Sequence, residues 1–324
     1  TGMRLVNVFL LLVVIAILTA WLSRLGKVAA WSVGMTALAV PMVWVLAGLA
    51  LSEMPAMALV TLSLCLQLKG LQSLGNDRPV LGWFLASAVA LGISVWGRQP
   101  YILLAGVPCL LALLERRLRI AAALFVLVVV AIALPQFVIW KGLVPPSHAE
   151  IQQGLAPKHA LLSLGYAGVT MFLLAPLPGW RLTTWMVTLF VLIAIVNVIS
   201  DALVFYPLYK LTERYVPPFV LPALGNLCGS VIAAIGTIFV LQVLEVLWTD
   251  RRNLEQVAIH SGLLCMSLAP MFISHDFSSR YTAMSLPYML LAAHCSRQWG
   301  APNVITVLVG AVLGFLSLFS YLYL

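Results

Sequence analysis

The segment 274–281 holds the densest group of side chains that could do chemistry in this chain. It reads Ser-His-Asp-Phe-Ser-Ser-Arg-Tyr and places His275, Asp276, Arg280 and Tyr281 between two apolar runs. Only 9% of the residues are charged, whereas 63% are hydrophobic. Because ionisable groups are costly in apolar surroundings, clusters of this kind tend to be functional. We expect the segment to form one wall of a polar cavity; the alternative is an Asp276–Arg280 ion pair that only fixes the loop.

A second polar break interrupts the apolar pattern at Arg98-Gln99-Pro100-Tyr101. The planar fork of an arginine matches the geometry of a phosphate group, and Gln99 adds a neutral donor and acceptor. The sequence therefore predicts a phosphate contact at Arg98. An interfacial anchor whose charge reaches water is the alternative.

Glu53 is the only acid between Thr1 and Asn76. A lone acid within apolar sequence is a functional candidate by default. It could equally be a solvated residue at a helix start, with Pro55 in the first turn.

The stretch from Trp140 to His159 is the longest polar interruption and carries Lys141, His148 and Glu150. Its Pro-Pro and Gly residues favour turns, as in a lid or binding loop. The spacing of its histidines would allow a metal pair, but no HxxxH or HExxH helical pattern supports one. We expect these side chains to contact a substrate or to pack within the loop, and no divalent metal is indicated.

Long apolar runs must position these four breaks. The 324 residues have a mean hydropathy of +1.07, and runs of about 20 residues can cross a hydrocarbon core about 30 Å thick. They lack the alternation of barrel strands, so an all-α polytopic transmembrane helical bundle is predicted, as a single domain over residues 1–324. The predicted spans, about twelve, are 5–23, 28–52, 55–71, 79–96, 101–114, 120–140, 160–177, 184–208, 220–248, 256–273, 282–296 and 303–323.

The net charge of +8 indicates orientation in a membrane rather than nucleic-acid binding. If every predicted span crosses, alternate loops hold eleven and seven of the 18 basic residues. The richer set, which includes Arg116, Arg117 and Arg119, is expected in the cytoplasm. All four polar breaks then lie on the outer face, as an outward-facing active site would require.

These breaks resemble motifs of the GT-C superfamily of polyprenyl-phosphate-sugar-dependent glycosyltransferases. Arg280-Tyr281 before an apolar helix with a proline resembles the late Arg-Tyr motif of bacterial members. Arg98-Gln99 resembles the Arg-Gln pair of the family that adds the terminal glucose to dolichol-linked glycans. Trp140-Lys141-Gly142 with His148 is similar to the Trp-Asn-Gly loop of that family, with Lys141 in place of Asn. Ser52-Glu53 and Arg4-Leu5-Val6-Asn7 match two further short motifs.

The resemblance implies inverting transfer of a hexose from a polyprenyl phosphate to a glycan, lipid or protein acceptor on the outer or luminal face. It implies no bound cofactor, membrane lipids as partners, no nucleic acid, and the bacterial inner membrane or else the endoplasmic reticulum. The catalytic carboxylate of the family lies in the first outer loop, which we expect upstream of Thr1. Glu53 is then the candidate within this chain. A multi-pass transporter or lipid flippase is the rival class.

Overall fold

The computed structural model is helical wherever it has regular secondary structure, and no strand occurs in the part of the chain that it describes. It describes residues 2–24, 30–49, 53–75, 79–142, 144–146, 154–174, 184–200, 203, 216–273, 277–295 and 303–323. The all-α class is therefore confirmed.

The α-helices follow the predicted apolar runs closely, and several of the runs are broken. They are α1 Gly2–Arg24, α2 Ala30–Leu38, α3 Pro41–Gly48, α4 Glu53–Gly75, α5 Leu81–Gly97, α6 Gly106–Leu114, α7 Arg119–Trp140, α8 Pro157–Leu174, α9 Thr184–Ser200, α10 Leu221–Thr249, α11 Leu254–Leu268, α12 Ser279–Ala283, α13 Leu286–Cys295 and α14 Val304–Tyr323. Three 3₁₀ helices join them: Gln99–Ala105, Arg116–Leu118 and Ala269–Phe272.

The count of about twelve spans was too high. Among the described residues, four helices are long and apolar enough to cross a membrane, or five if the bent pair α2 and α3 is one span. The predicted span 28–52 is broken by a bend of 87° before Pro41, which cannot donate a backbone hydrogen bond. The spans 101–114 and 282–296 are divided as well, the first by a 3₁₀ helix and the second between α12 and α13.

Apolar side chains fill one large core and also cover much of the outer surface. The core joins α1 to α7 with α8, α10, α11 and α13. Large apolar residues nevertheless face outward on α1, α7, α9 and α14, for example Phe9, Ile120, Ile199 and Phe315. Exposed apolar area on this scale marks contact with a partner or a membrane. The structure is compatible with an integral membrane protein.

Candidate functional site

An ion pair joins the first residue of α4 to the residue that follows α5. The helices α4 and α5 pack against each other, and an Nη atom of Arg98 contacts the Glu53 carboxylate. The Glu53 side chain is 1% exposed, whereas that of Arg98 is 25% exposed. The acid is thus a buried counterion, and the guanidinium is the member of the pair that reaches the surface.

The region beneath this pair keeps unused hydrogen-bonding capacity. Within the described residues, the second Glu53 oxygen, Arg98 Nε and the Tyr101 hydroxyl are buried and have no hydrogen-bond partner. Tyr101 is close enough to interact electrostatically with both charges. Buried polar groups are rarely left unpaired in native proteins. One acceptor and two donors of the described residues are therefore unused at this point.

The local sequence explains why Arg98 lies where it does. The Arg98 N–H donates to the Ser94 carbonyl at 3.0 Å, which is the last backbone hydrogen bond of α5. Pro100 cannot extend the helix, and the chain tightens into the 3₁₀ helix Gln99–Ala105. Gln99 begins this helix and is half-buried.

Arg280 lies at a similar break, at the start of α12. The Ser278 hydroxyl accepts the Arg280 N–H at 3.4 Å, and an Arg280 Nη donates to the Tyr281 hydroxyl at 3.1 Å. The guanidinium carbon is 5.1 Å from the centre of the Tyr281 ring, a cation–π distance. Tyr281 is buried and so holds the half-buried cation in place.

The start of α8 packs beside the segment that leads to Arg280. His159 Nδ1 donates to the Ile273 carbonyl at 2.5 Å, and the Ala156 N–H donates to Met271 at 2.8 Å. The His159 ring also lies 5.7 Å from the ring of Phe277. The end of the long 141–159 loop thereby contacts Met271, Ile273 and Phe277, which precede Arg280.

Contacts between short elements bring the breaks to one end of the bundle. The 3₁₀ helix Gln99–Ala105 contacts the 3₁₀ helix Ala269–Phe272. The latter contacts both α8 and α12. The 3₁₀ helix that follows Arg98 and the helix that carries Arg280 therefore share one neighbour, the 3₁₀ helix Ala269–Phe272.

Of the remaining predicted site residues, only Lys141 lies in the part of the chain that the structure describes. Lys141 follows α7 in a left-handed conformation, with φ 54°, and its side chain is exposed. His148, Glu150, His275 and Asp276 lie outside the described residues, so the metal pair and the Asp276–Arg280 ion pair stay hypotheses.

Two buried polar residues near this end were not identified from their individual properties. Tyr101 has no role of its own in the predicted polar break 98–101, yet it is completely buried. Asn7 was noted only within a short motif, yet its amide donates to the Leu49 carbonyl at 2.7 Å at the end of α3. A polar residue within an apolar helix was the available signal, since such a residue needs a partner.

Comparison with known proteins adds no assignment to this geometry. No protein-family model, curated protein or solved structure matches the chain.

Proposed function

We propose that the protein is a membrane glycosyltransferase that moves a hexose from a polyprenyl-phosphate sugar to an acceptor hydroxyl with inversion. One observation supports this proposal: two half-buried arginines, Arg98 and Arg280, lie at helix breaks that contact the same 3₁₀ helix, Ala269–Phe272, at one end of an apolar bundle. Guanidinium groups at the end of lipid-embedded helices suit a phosphate that is carried on a lipid. The proposed location is the outer face of a bacterial inner membrane.

The reaction assigns the arginines to the leaving group. The acceptor oxygen attacks the anomeric carbon while the bond from that carbon to the phosphate oxygen breaks, and its electron pair stays with the polyprenyl phosphate. The acceptor proton passes to a carboxylate acting as general base. Arg98 and Arg280 bind the phosphate and stabilise the charge that develops on it.

Glu53 has a positioning role in this proposal. Its carboxylate is 1% exposed and already engaged by Arg98, so it orients the guanidinium rather than meeting the acceptor. The general base is assigned to another carboxylate. Gln99, Lys141, Tyr281 and the loop residues His148 and Glu150 are assigned to substrate contacts, together with His275 and Asp276.

Replacing Arg280 by alanine tests the proposal. We expect Arg280→Ala in the intact protein to abolish transfer from lipid-linked hexoses, because the leaving phosphate loses a cation in a site of low dielectric constant. Arg280→Lys should restore only part of the rate, since lysine keeps the charge but lacks the planar fork. Turnover is measured with a panel of polyprenyl-phosphate hexoses in reconstituted vesicles.

The matched control is Arg252→Ala, because Arg252 is exposed in the turn between α10 and α11. This variant should transfer sugar at the rate of the unaltered protein. Undiminished turnover in Arg280→Ala would remove Arg280 from the site. Movement of the labelled lipid between leaflets without sugar transfer would favour the flippase class instead.

A further inference from the structure

The turn between α6 and α7 carries three arginines in four residues. Arg116, Arg117 and Arg119 are all exposed. Leu118 between them is buried and anchors the turn. Three outward cations on one short, fixed turn are unusual in a chain with so few charges.

The acid in this turn is used by the backbone. Glu115 Oε1 accepts the Arg117 N–H at 3.1 Å, and the Glu115 carbonyl accepts the Leu118 N–H at 3.1 Å. Neither Arg116 nor Arg119 forms an ion pair within the described residues. The turn therefore presents a net positive charge outward.

Apolar side chains border the cations on both sides. Leu113 is 78% exposed and Ile120 is 73% exposed. A free phosphate or a nucleic acid would leave these two side chains in water. A lipid with an anionic headgroup matches both the arginines and the apolar side chains. Its acyl chains cover the apolar surface, and its phosphate faces the arginines.

Helix connectivity places this turn at the end of the bundle away from Arg98. The helix α11 ends at the 3₁₀ helix Ala269–Phe272, and this 3₁₀ helix contacts the 3₁₀ helix Gln99–Ala105. The helix α6 begins directly after Gln99–Ala105 and runs away from it. Because α6 and α11 contact each other, the end of α6 and the start of α11 lie at the opposite end. The 15 residues of α11 separate the ends by about 22 Å.

We propose that the α6–α7 turn is a binding site for the headgroup of an anionic phospholipid. Arg116 and Arg119 bind the phosphate, and Leu113 and Ile120 contact the acyl chains. The site is separate from the sugar-transfer site and does not depend on that function.

The turn between α10 and α11 supplies a matched control within the same chain. Arg251 and Arg252 are also exposed, but Glu245, Asp250 and Glu255 lie close to them in sequence. The Arg251 guanidinium carbon is in addition 5.1 Å from the centre of the Trp248 ring. We expect this turn to attract anionic lipid far less.

The experiment measures retention of phosphatidylglycerol by the intact protein in mixed vesicles with phosphatidylcholine, by native mass spectrometry. Arg116→Gln with Arg119→Gln should weaken phosphatidylglycerol binding about thirtyfold, from the usual contribution of two cations near an anionic surface. Arg116→Lys with Arg119→Lys should retain binding, which separates loss of charge from loss of folding. Arg251→Gln with Arg252→Gln should change phosphatidylglycerol binding by less than about twofold.

Two results would overturn the proposal. One is unchanged phosphatidylglycerol binding when Arg116 and Arg119 are neutralised, or an equal loss in the Arg251 and Arg252 control. The other is displacement of the lipid by inorganic phosphate at a similar concentration, which would make the site one for free phosphate.

Discussion

The Glu53 carboxylate and the Arg98 guanidinium differ strongly in burial, and this difference decides what each contributes. Glu53 at 1% exposure has no access to water, whereas Arg98 at 25% exposure does. Removal of one partner from a buried pair is destabilising chiefly because the other charge is left without compensation. The two partners of this pair should therefore not be equivalent.

We expect Arg98→Gln to destabilise the protein by about 3 kcal/mol, because the buried Glu53 carboxylate then loses its counterion. Glu53→Gln should cost only about 1 kcal/mol, because Arg98 can turn towards water. The measurement is thermal unfolding of the purified protein in detergent. The double variant serves as the control and should be more stable than Arg98→Gln alone; equal losses in the two single variants would contradict this account.

At the scale of elements, α8 and α10 approach closely because glycines face each other. A side-chain carbon at Gly236 of α10 would lie 2.7 Å from the backbone nitrogen of Gly165 and 3.1 Å from the Leu161 carbonyl oxygen, both in α8. Backbone atoms cannot move aside as a flexible side chain can. Small residues at helix contacts are a usual way for apolar helices to pack in a membrane.

Gly236→Ala should therefore destabilise the protein by about 2 kcal/mol, because α8 and α10 must separate to admit the methyl group. Gly82→Ala in α5 is the matched control, since nothing lies within 4 Å of an added carbon there. That control should gain up to about 1 kcal/mol from the better helix propensity of alanine. Thermal unfolding compares the two, and a Gly236→Ala protein as stable as Gly82→Ala would show that the helices are not in close contact.

The whole molecule has two chemically different ends. Half-buried Arg98 and Arg280 lie at one end, and exposed Arg116, Arg119 and Arg252 lie at the other. The 22 residues of α7 extend about 33 Å, enough to cross a hydrocarbon core of about 30 Å. Its start and its end should face opposite sides of a membrane.

Site-directed labelling tests this arrangement. With the native cysteines replaced, Arg116→Cys and Arg252→Cys should react with an impermeant maleimide only from the cytoplasmic side, which basic loops favour. Lys141→Cys, just beyond α7, should react only from the outer side. Labelling of Arg116→Cys and Lys141→Cys from the same side would show that α7 does not cross.

Local sequence was sufficient to predict an all-helical chain and the polar break at Arg98, but not the breaks within 28–52 and 282–296. An apolar run must satisfy its backbone hydrogen bonds within itself, so helices follow from composition, and Pro41 and Pro100 interrupt them because they donate no backbone bond. Arg98 and Arg280 could also be identified from the sequence, because charged residues are conspicuous among apolar ones. The phosphate and substrate roles given to them stay predictions.

Only the tertiary structure decided how these pieces combine. Glu53 and Arg98 are 45 residues apart, and they meet because α4 and α5 pack against each other. The number of crossings also depended on the fold, because the 87° bend between α2 and α3 and the 3₁₀ segments change helix direction without changing hydropathy. Hydropathy reports which residues avoid water, but the packing of neighbouring helices determines whether a run spans a membrane or turns back within the bundle.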